Sequence, residues 1–290
     1  MSMPFAKNID GYDIRAQIVF ERQVHKGGFL IVEGVDDDRA LSQFFDPAKC
    51  SIVVAYNKEN ALVAADLLDD DGYRGALCVV DADFDRLQGT RCALSNVVYT
   101  DCHDLDLTIF STLALNDFLR VYADKKKLEV VERKAGPVSN LILGAATSLG
   151  CLRYVNHIEN LNLCFRNLPY EEFISRSDLA CDDAAMVRTV MNQSKRTRID
   201  SKAILALVGK AKGKRHDQLQ LCNGHDVAAI LGIAMRELLG NRREMHTWRS
   251  EIEASLRLAF SQECFRSTKL YVAITDWDAE NSLRCLLNAA

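Results

Sequence analysis

The sequence predicts an α/β fold, a parallel sheet flanked by helices and followed by a mostly helical half. Three observations carry this. Four short runs, residues 29–33, 51–56, 76–80 and 96–99, are apolar but for at most a residue at one end, as strands covered on both faces of a parallel sheet are. Segments with helical spacing separate them, at residues 36–45 and 60–70. From about residue 104 onward the apolar pattern is almost entirely helical.

Taken in order, residues 1–26 read as a lead-in with a strand or short helix around residues 14–20. After the first strand, Leu41, Phe44 and Phe45 share one side of a helix. After the second, Leu62, Ala65 and Leu68 do the same. The later half offers helices over residues 104–112, 116–123, 137–149, 182–191, 201–207, 227–239, 247–260 and the last twelve positions, with a strand at 161–165. The expected division is a lead-in at 1–26, a metal-binding α/β domain at 27–135, and a helical substrate- or partner-binding domain at 136–290.

Bulk composition narrows the function classes. The chain has 290 residues, 48% apolar and 26% charged, enough to bury a core and too apolar for a disordered chain. A net charge of -4 argues against indiscriminate coating of nucleic acid. The ten cysteines include no C-x-x-C pair, so they read as reduced thiols of a cytoplasmic protein, mostly filling core positions. No run of 18 apolar residues is present, so no transmembrane helix is expected. There is no Walker-type lysine loop, and the Gly27–Gly28 turn does not form one, so ATP hydrolysis by this chain is not expected.

The chemistry concentrates in acids at strand ends. Glu33 closes the first strand in FLIVEGVDD, and ALCVVDADFD delivers Asp81, Asp83 and Asp85 at the end of the third. Residues i and i+2 of a strand share a face, so two parallel neighbours would converge their carboxylates at one sheet edge. Like charges so placed raise one another's pKa and cost stability unless a cation neutralises them, and a hard divalent ion with oxygen ligands is the natural occupant. Taken alone, D-x-D also suits a phosphatase loop or a nucleotide-sugar site. Asp85 reads equally as a further ligand or a loop cap. Asp36, Asp37 and Asp38 open the next helix, where acids complement the dipole. Capping is the favoured reading for Asp38, and Asp37 stands nearer the acidic site.

The Glu33–Gly34 turn and the Asp81/Asp83 pair resemble the two acidic motifs of the Toprim family, over about residues 27–110. IVEGVDD (31–37), VVDADFD (79–85), TDCHDLDLTIF (100–110) and NGHDVAAIL (223–231) resemble in particular the group containing the AriB subunit of PARIS-type phage-defence systems. The resemblance implies a Rossmann-like sheet, Mg²⁺ or Mn²⁺ held by Asp81 and Asp83, and Glu33 as ligand or general acid/base. It further implies a nuclease effector of anti-phage defence, restrained until an ABC-type ATPase partner releases it. The chain departs from the family after the fourth strand, where Asp104 and Asp106 stand in place of a glutamate.

Residues 195–216 hold Lys195, Arg196, Arg198, Lys202, Lys210, Lys212, Lys214 and Arg215 against Asp200 alone, a local charge of +7. Such a stretch binds phosphate backbones, DNA or RNA, or docks an acidic partner. Lys125, Lys126 and Lys127 read as solvated surface. His225 and Asp226 open a helix in NGHDVAAIL, Asp226 as its cap; substrate positioning or partner contact is the other reading. Trp248 and Trp277 read as packing residues. The expected activity is Mg²⁺-dependent phosphodiester hydrolysis by a homo-oligomer. The rivals are a catalytically silent sensor subunit of an ATPase complex and a small-molecule phosphatase.

Overall fold

The computed structural model describes residues 9–194, 200–240 and 249–287. The chain falls into two compact units, the first from Met1–Ala82, Gly89–Leu105 and Phe260–Ala290, the second from Asp83–Gln88 and Asp106–Ala259.

The first unit is built on a four-stranded, all-parallel sheet in the order β2-β1-β3-β4. Helix α1 (Gly11–Glu21) precedes β1 (Gly28–Val32), α2 (Val35–Leu41), β2 (Cys50–Val54), α3 (Lys58–Asp70) and β3 (Ala76–Val80). Strand β1 lies between β2 and β3, with Val32 opposite Val54 on one side and Val79 on the other. Every residue of β1 and β3 is buried, which is why both read as unbroken apolar runs. Phe29, Ile31, Cys78 and Val80 join Ile14 and Ile18 of α1 and Ala64, Ala65 and Leu68 of α3 in one apolar cluster. The segment expected around residues 14–20 of the lead-in is therefore a helix, Gly11–Glu21, started by a reciprocal cap in which Asp13 N–H donates to Asp10 and Asp10 N–H to Asp13.

Gly28 has the opposite parity, and a Cβ there would lie 2.6 Å from Cys285 Sγ and 3.2 Å from the Trp277 ring. The C-terminal segment thus packs against β1, and Trp277 is a packing residue as expected. Phe44 stacks on Phe265 at 4.3 Å and meets Phe260 edge-on at 5.4 Å. The helix expected over the last twelve residues stops at Asn281, the end of α15 (Lys269–Asn281), and the described residues 282–287 are not helical. Ser282 turns left-handed at φ 55, the Asp278 carboxylate accepts the Cys285 N–H, and Leu286 bridges to Phe45.

In chain order the remaining elements are α4 (Asp85–Gln88), β4 (Val97–Tyr99), α5 (Leu105–Phe110), α6 (Leu113–Tyr122), α7 (Lys125–Ala135), α8 (Val138–Glu159), α9 (Asp183–Gln193), α10 (Ser201–Gly213), α11 (Gln218–Leu221), α12 (Gly224–Ala234), α13 (Arg249–Ala259), α14 (Gln262–Arg266) and α15 (Lys269–Asn281). Helix α8 is the spine of the second unit, with buried residues from Val138 to Val155 and packing against α10, α11 and α12. It is 22 residues long and holds an 18-residue stretch of mean hydropathy 1.2, enough for a membrane span by length and composition, but 67% of that stretch is buried inside the protein. The strand expected at 161–165 is absent. Asn160 and Asn162 adopt left-handed backbone, and the Asn156 side chain takes the Leu163 N–H, so the segment turns instead of extending. All ten cysteines are free thiols, seven of them buried.

Gly150 lets α8 approach α11, since a Cβ there would sit 2.8 Å from the Leu221 carbonyl oxygen. Gly150→Ala should therefore destabilise the fold by about 1–3 kcal/mol through overpacking, outweighing the helix-propensity gain of roughly 1 kcal/mol. Urea titration of both proteins would show a lower midpoint in the variant.

Candidate functional site

In the first unit the ends of two adjacent strands bring Glu33 and Asp81 into contact. β1 ends at Val32 and β3 at Val80, so each acid is the first residue past its strand. Asp81 N–H donates to Glu33 Oε1 at 2.7 Å, and the Leu105 N–H donates to Asp81 Oδ1 at 3.0 Å. Lys58, at the start of α3, donates from Nζ to the Asp81 carbonyl at 2.7 Å and lies over the Tyr99 ring. The Thr100 hydroxyl accepts the Ala82 N–H and donates to the Cys102 carbonyl, tying the turn after β3 to the end of β4. Both acids are half-buried. Lys58 was not singled out from the sequence; its signal was a lysine one residue past the Asn57 cap at the end of the neighbouring strand.

The expectation for the acids after Glu33 is corrected in one respect. Asp37, not Asp38, takes the capping role, accepting the Gly34 N–H at 2.8 Å. Burial pushes the Asp38 carboxyl above its ordinary range against the opposing pull of Arg39.

Asp83 and Asp85 belong to the segment counted with the second unit. Asp83 sits in left-handed backbone at φ 43, a conformation aspartate tolerates better than most residues. Asp85 begins α4. Between them Phe84 packs edge-on against Tyr154 at 5.2 Å and beside His157 at 5.4 Å, anchoring the loop to α8.

The second unit also gathers Asp106 of α5, His225 of α12 and Glu253 of α13, whose ligand atoms all lie within 4.8 Å of one another, an array able to hold a metal ion. His225 Nδ1 lies 2.7 Å from Glu253 Oε1 and 3.8 Å from Asp106 Oδ2. Arg257 grips Asp106 with two hydrogen bonds, of 2.8 and 2.7 Å, and Arg249 lies 3.3 Å from Glu253. Sequence reading missed Glu253, Arg249 and Arg257. Their signal was an acid on α13 with an arginine four residues away on either side.

Asp226 is not the cap of α12. Asn223 is, accepting the His225 N–H. Asp226 is fully buried and receives Arg153 at 2.6 and 2.8 Å and the Tyr170 hydroxyl at 2.7 Å. Burial, then the Asp226 charge, pushes the Tyr170 hydroxyl far above the phenol range.

Of the basic stretch, Lys195, Arg196 and Arg198 lie outside the described residues, as does Trp248. Lys202, Lys210, Lys214 and Arg215 are exposed. Lys212 is engaged, donating to Asp183 at 2.7 Å and Ser148 at 3.0 Å, which ties α10 to α9 and α8. In α7, Lys127 donates to the Gly240 carbonyl.

Neither the scan of protein-family models nor the search of curated proteins finds a match to this chain.

Two outcomes follow from these contacts. Asp226→Ala should cost about 3–5 kcal/mol in a denaturant titration, because it strands the Arg153 guanidinium without its buried partner. His216, packed edge-on against Tyr154, has its imidazole pushed below the ordinary value by burial and by neighbouring Lys214. A depressed folded pKa means the unfolded chain protonates first. The contribution of His216 is therefore complete above the unfolded pKa of about 6.5 and declines as pH falls towards the folded value. Urea midpoints at pH 7.5 and 5 should fall less steeply in His216→Gln than in the wild type.

Proposed function

We propose that this chain is a metal-dependent nucleic-acid phosphodiesterase of Toprim type, centred on Glu33, Asp81 and Asp83. The observation that carries the reading is the hydrogen bond from Asp81 N–H to Glu33 at the carboxyl ends of adjacent parallel strands. Open α/β sheets place their ligands outside the carboxyl ends of the strands. The donor set fits Mg²⁺ or Mn²⁺, since half-exposed carboxylates offer hard oxygens and Mg²⁺ needs only one or two of them.

When bound, such an ion supplies charge neutralisation at the phosphoryl oxygens and lowers the pKa of a coordinated water. The protein residues do the rest. The chain sequence Asp81-Ala82-Asp83 provides the anchoring carboxylates, with Asp85 as a further ligand. Glu33 orients the attacking water and receives its proton. Lys58 holds the strand end at Asp81, and Thr100 holds the turn that follows, so the anchoring carboxylate is positioned before substrate arrives. Lys202, Lys210, Lys214 and Arg215, with Lys195, Arg196 and Arg198, are the proposed backbone-binding cations. The setting is proposed with the resemblance: an anti-phage effector in the cytoplasm, homo-oligomeric and released by an ABC-type ATPase.

Plasmid DNA and total RNA incubated with Mg²⁺ or Mn²⁺ test the reading, with and without an ATPase encoded alongside. Wild-type protein should cut one of the two. Glu33→Gln and Asp81→Asn should lose about a hundredfold or more in rate while melting as the wild type does. Failure of wild type to cut under every condition, with ATPase binding intact, would leave a silent sensor subunit as the function.

A further inference from the structure

We propose that the second unit carries a divalent-metal site of its own, formed by Asp106, His225 and Glu253, which takes a borderline ion such as Zn²⁺ or Mn²⁺ in preference to Mg²⁺. It does not depend on the chemistry proposed for Glu33 and Asp81.

The geometry begins with the spacing of the donors. Two ligands on one tetrahedral ion with bonds near 2.1 Å stand about 3.4 Å apart. The His225 Nδ1 separations of 2.7 Å from Glu253 and 3.8 Å from Asp106 bracket that figure. Side-chain adjustments of under about an ångström would bring all three onto one centre. The donors come from three separate helices, α5, α12 and α13, so the set is a product of the tertiary fold. Glu253 is buried, whereas the His225 side chain is half exposed and gives an ion a route in from solvent.

The donor set selects the ion. One imidazole nitrogen with two carboxylates favours Zn²⁺, Co²⁺ or Mn²⁺ over Mg²⁺, which prefers an all-oxygen shell. An ion at this centre would take the place of the contact between Nδ1 and Glu253, with Nδ1 as the ligand and any ring proton on the other nitrogen.

Arg257 sets the affinity. A carboxylate has roughly four acceptor positions, and Arg257 takes two of those on Asp106. The ion can use another, but it shares Asp106 with a fixed positive charge. Arg249 beside Glu253 acts in the same sense. Removing Arg257 should therefore strengthen metal binding, which a network held only by ion pairs would not do.

Co²⁺ titration of metal-stripped full-length protein, followed by visible absorption, tests this. Wild type should show d–d bands from a nitrogen–oxygen site, with no near-ultraviolet thiolate band from its cysteines. His225→Gln and Asp106→Asn should lose those bands while keeping the wild-type circular dichroism. Arg257→Gln should tighten binding by about tenfold, on the scale of neighbours of metal ligands. Asp81→Asn should leave the bands unchanged, which separates this site from the one proposed for catalysis. If His225→Gln misfolds, Asp106→Asn and Arg257→Gln carry the test. Absence of d–d bands in the wild type, their persistence in Asp106→Asn, or weaker binding in Arg257→Gln would overturn the proposal.

Discussion

Parallel pairing of β1 with β3 is the constraint on which the acidic site depends. The register sets Val32 opposite Val79, so the residue after Val32, Glu33, meets the N–H of Asp81, two residues after Val79. A slip of one residue would turn every side chain of a strand to the other face. Since both strands are buried throughout, that slip would misplace the core and separate Glu33 from Asp81 together. At the end of the ladder, a peptide N–H needs an acceptor that the neighbouring strand no longer supplies. Glu33 supplies it at Asp81, so the carboxylate is oriented by backbone. A charged acceptor makes this bond stronger than an ordinary peptide pair.

The second unit settles its charges differently, by burying them in pairs. Consecutive residues at the start of α12 point to different partners. His225 meets Glu253, while Asp226 takes Arg153 and Tyr170. Neighbours on a helix are about 100° apart, so one turn serves two networks. Removing ions from water is costly, and pairs of this kind hold geometry more surely than they add stability. What they fix here is the rotation of α12 relative to α8 and α13, and with it the placement of the imidazole.

The sheet was legible because its strands are buried on both faces and leave an uninterrupted apolar trace; β3 occupies the residues expected of it. The acids at the strand ends were legible because nothing apolar is gained by placing them there. Errors arose where local pattern and tertiary context disagree. LNLCF alternates like a strand, but Asn160 before it and Asn162 within it take left-handed backbone and turn the chain. Asp226 has the look of a helix cap, yet a guanidinium from α8, 73 residues earlier, draws it inward. The Asp106–Arg257 bond joins residues 151 apart, a distance at which no local spacing rule operates. The tie from Asp101, which accepts the Lys269 and Leu270 N–H groups beside the Thr268 cap of α15, was hidden for the same reason.

The composition of the first unit has a consequence for how the molecule is made. All four strands lie within the first hundred residues, but Phe260, Phe265, Trp277 and Cys285 come from the far end of the sequence. During translation the sheet must wait, with the surface around Gly28 and Phe44 uncovered, while the whole second unit is synthesised. Hydrophobic surface left open in this way attracts chaperones and other nascent chains. A ribosome stalled before residue 260 would therefore release both strand-end acids on an incomplete scaffold. The core of the first unit is complete only once the helices of the last segment have emerged.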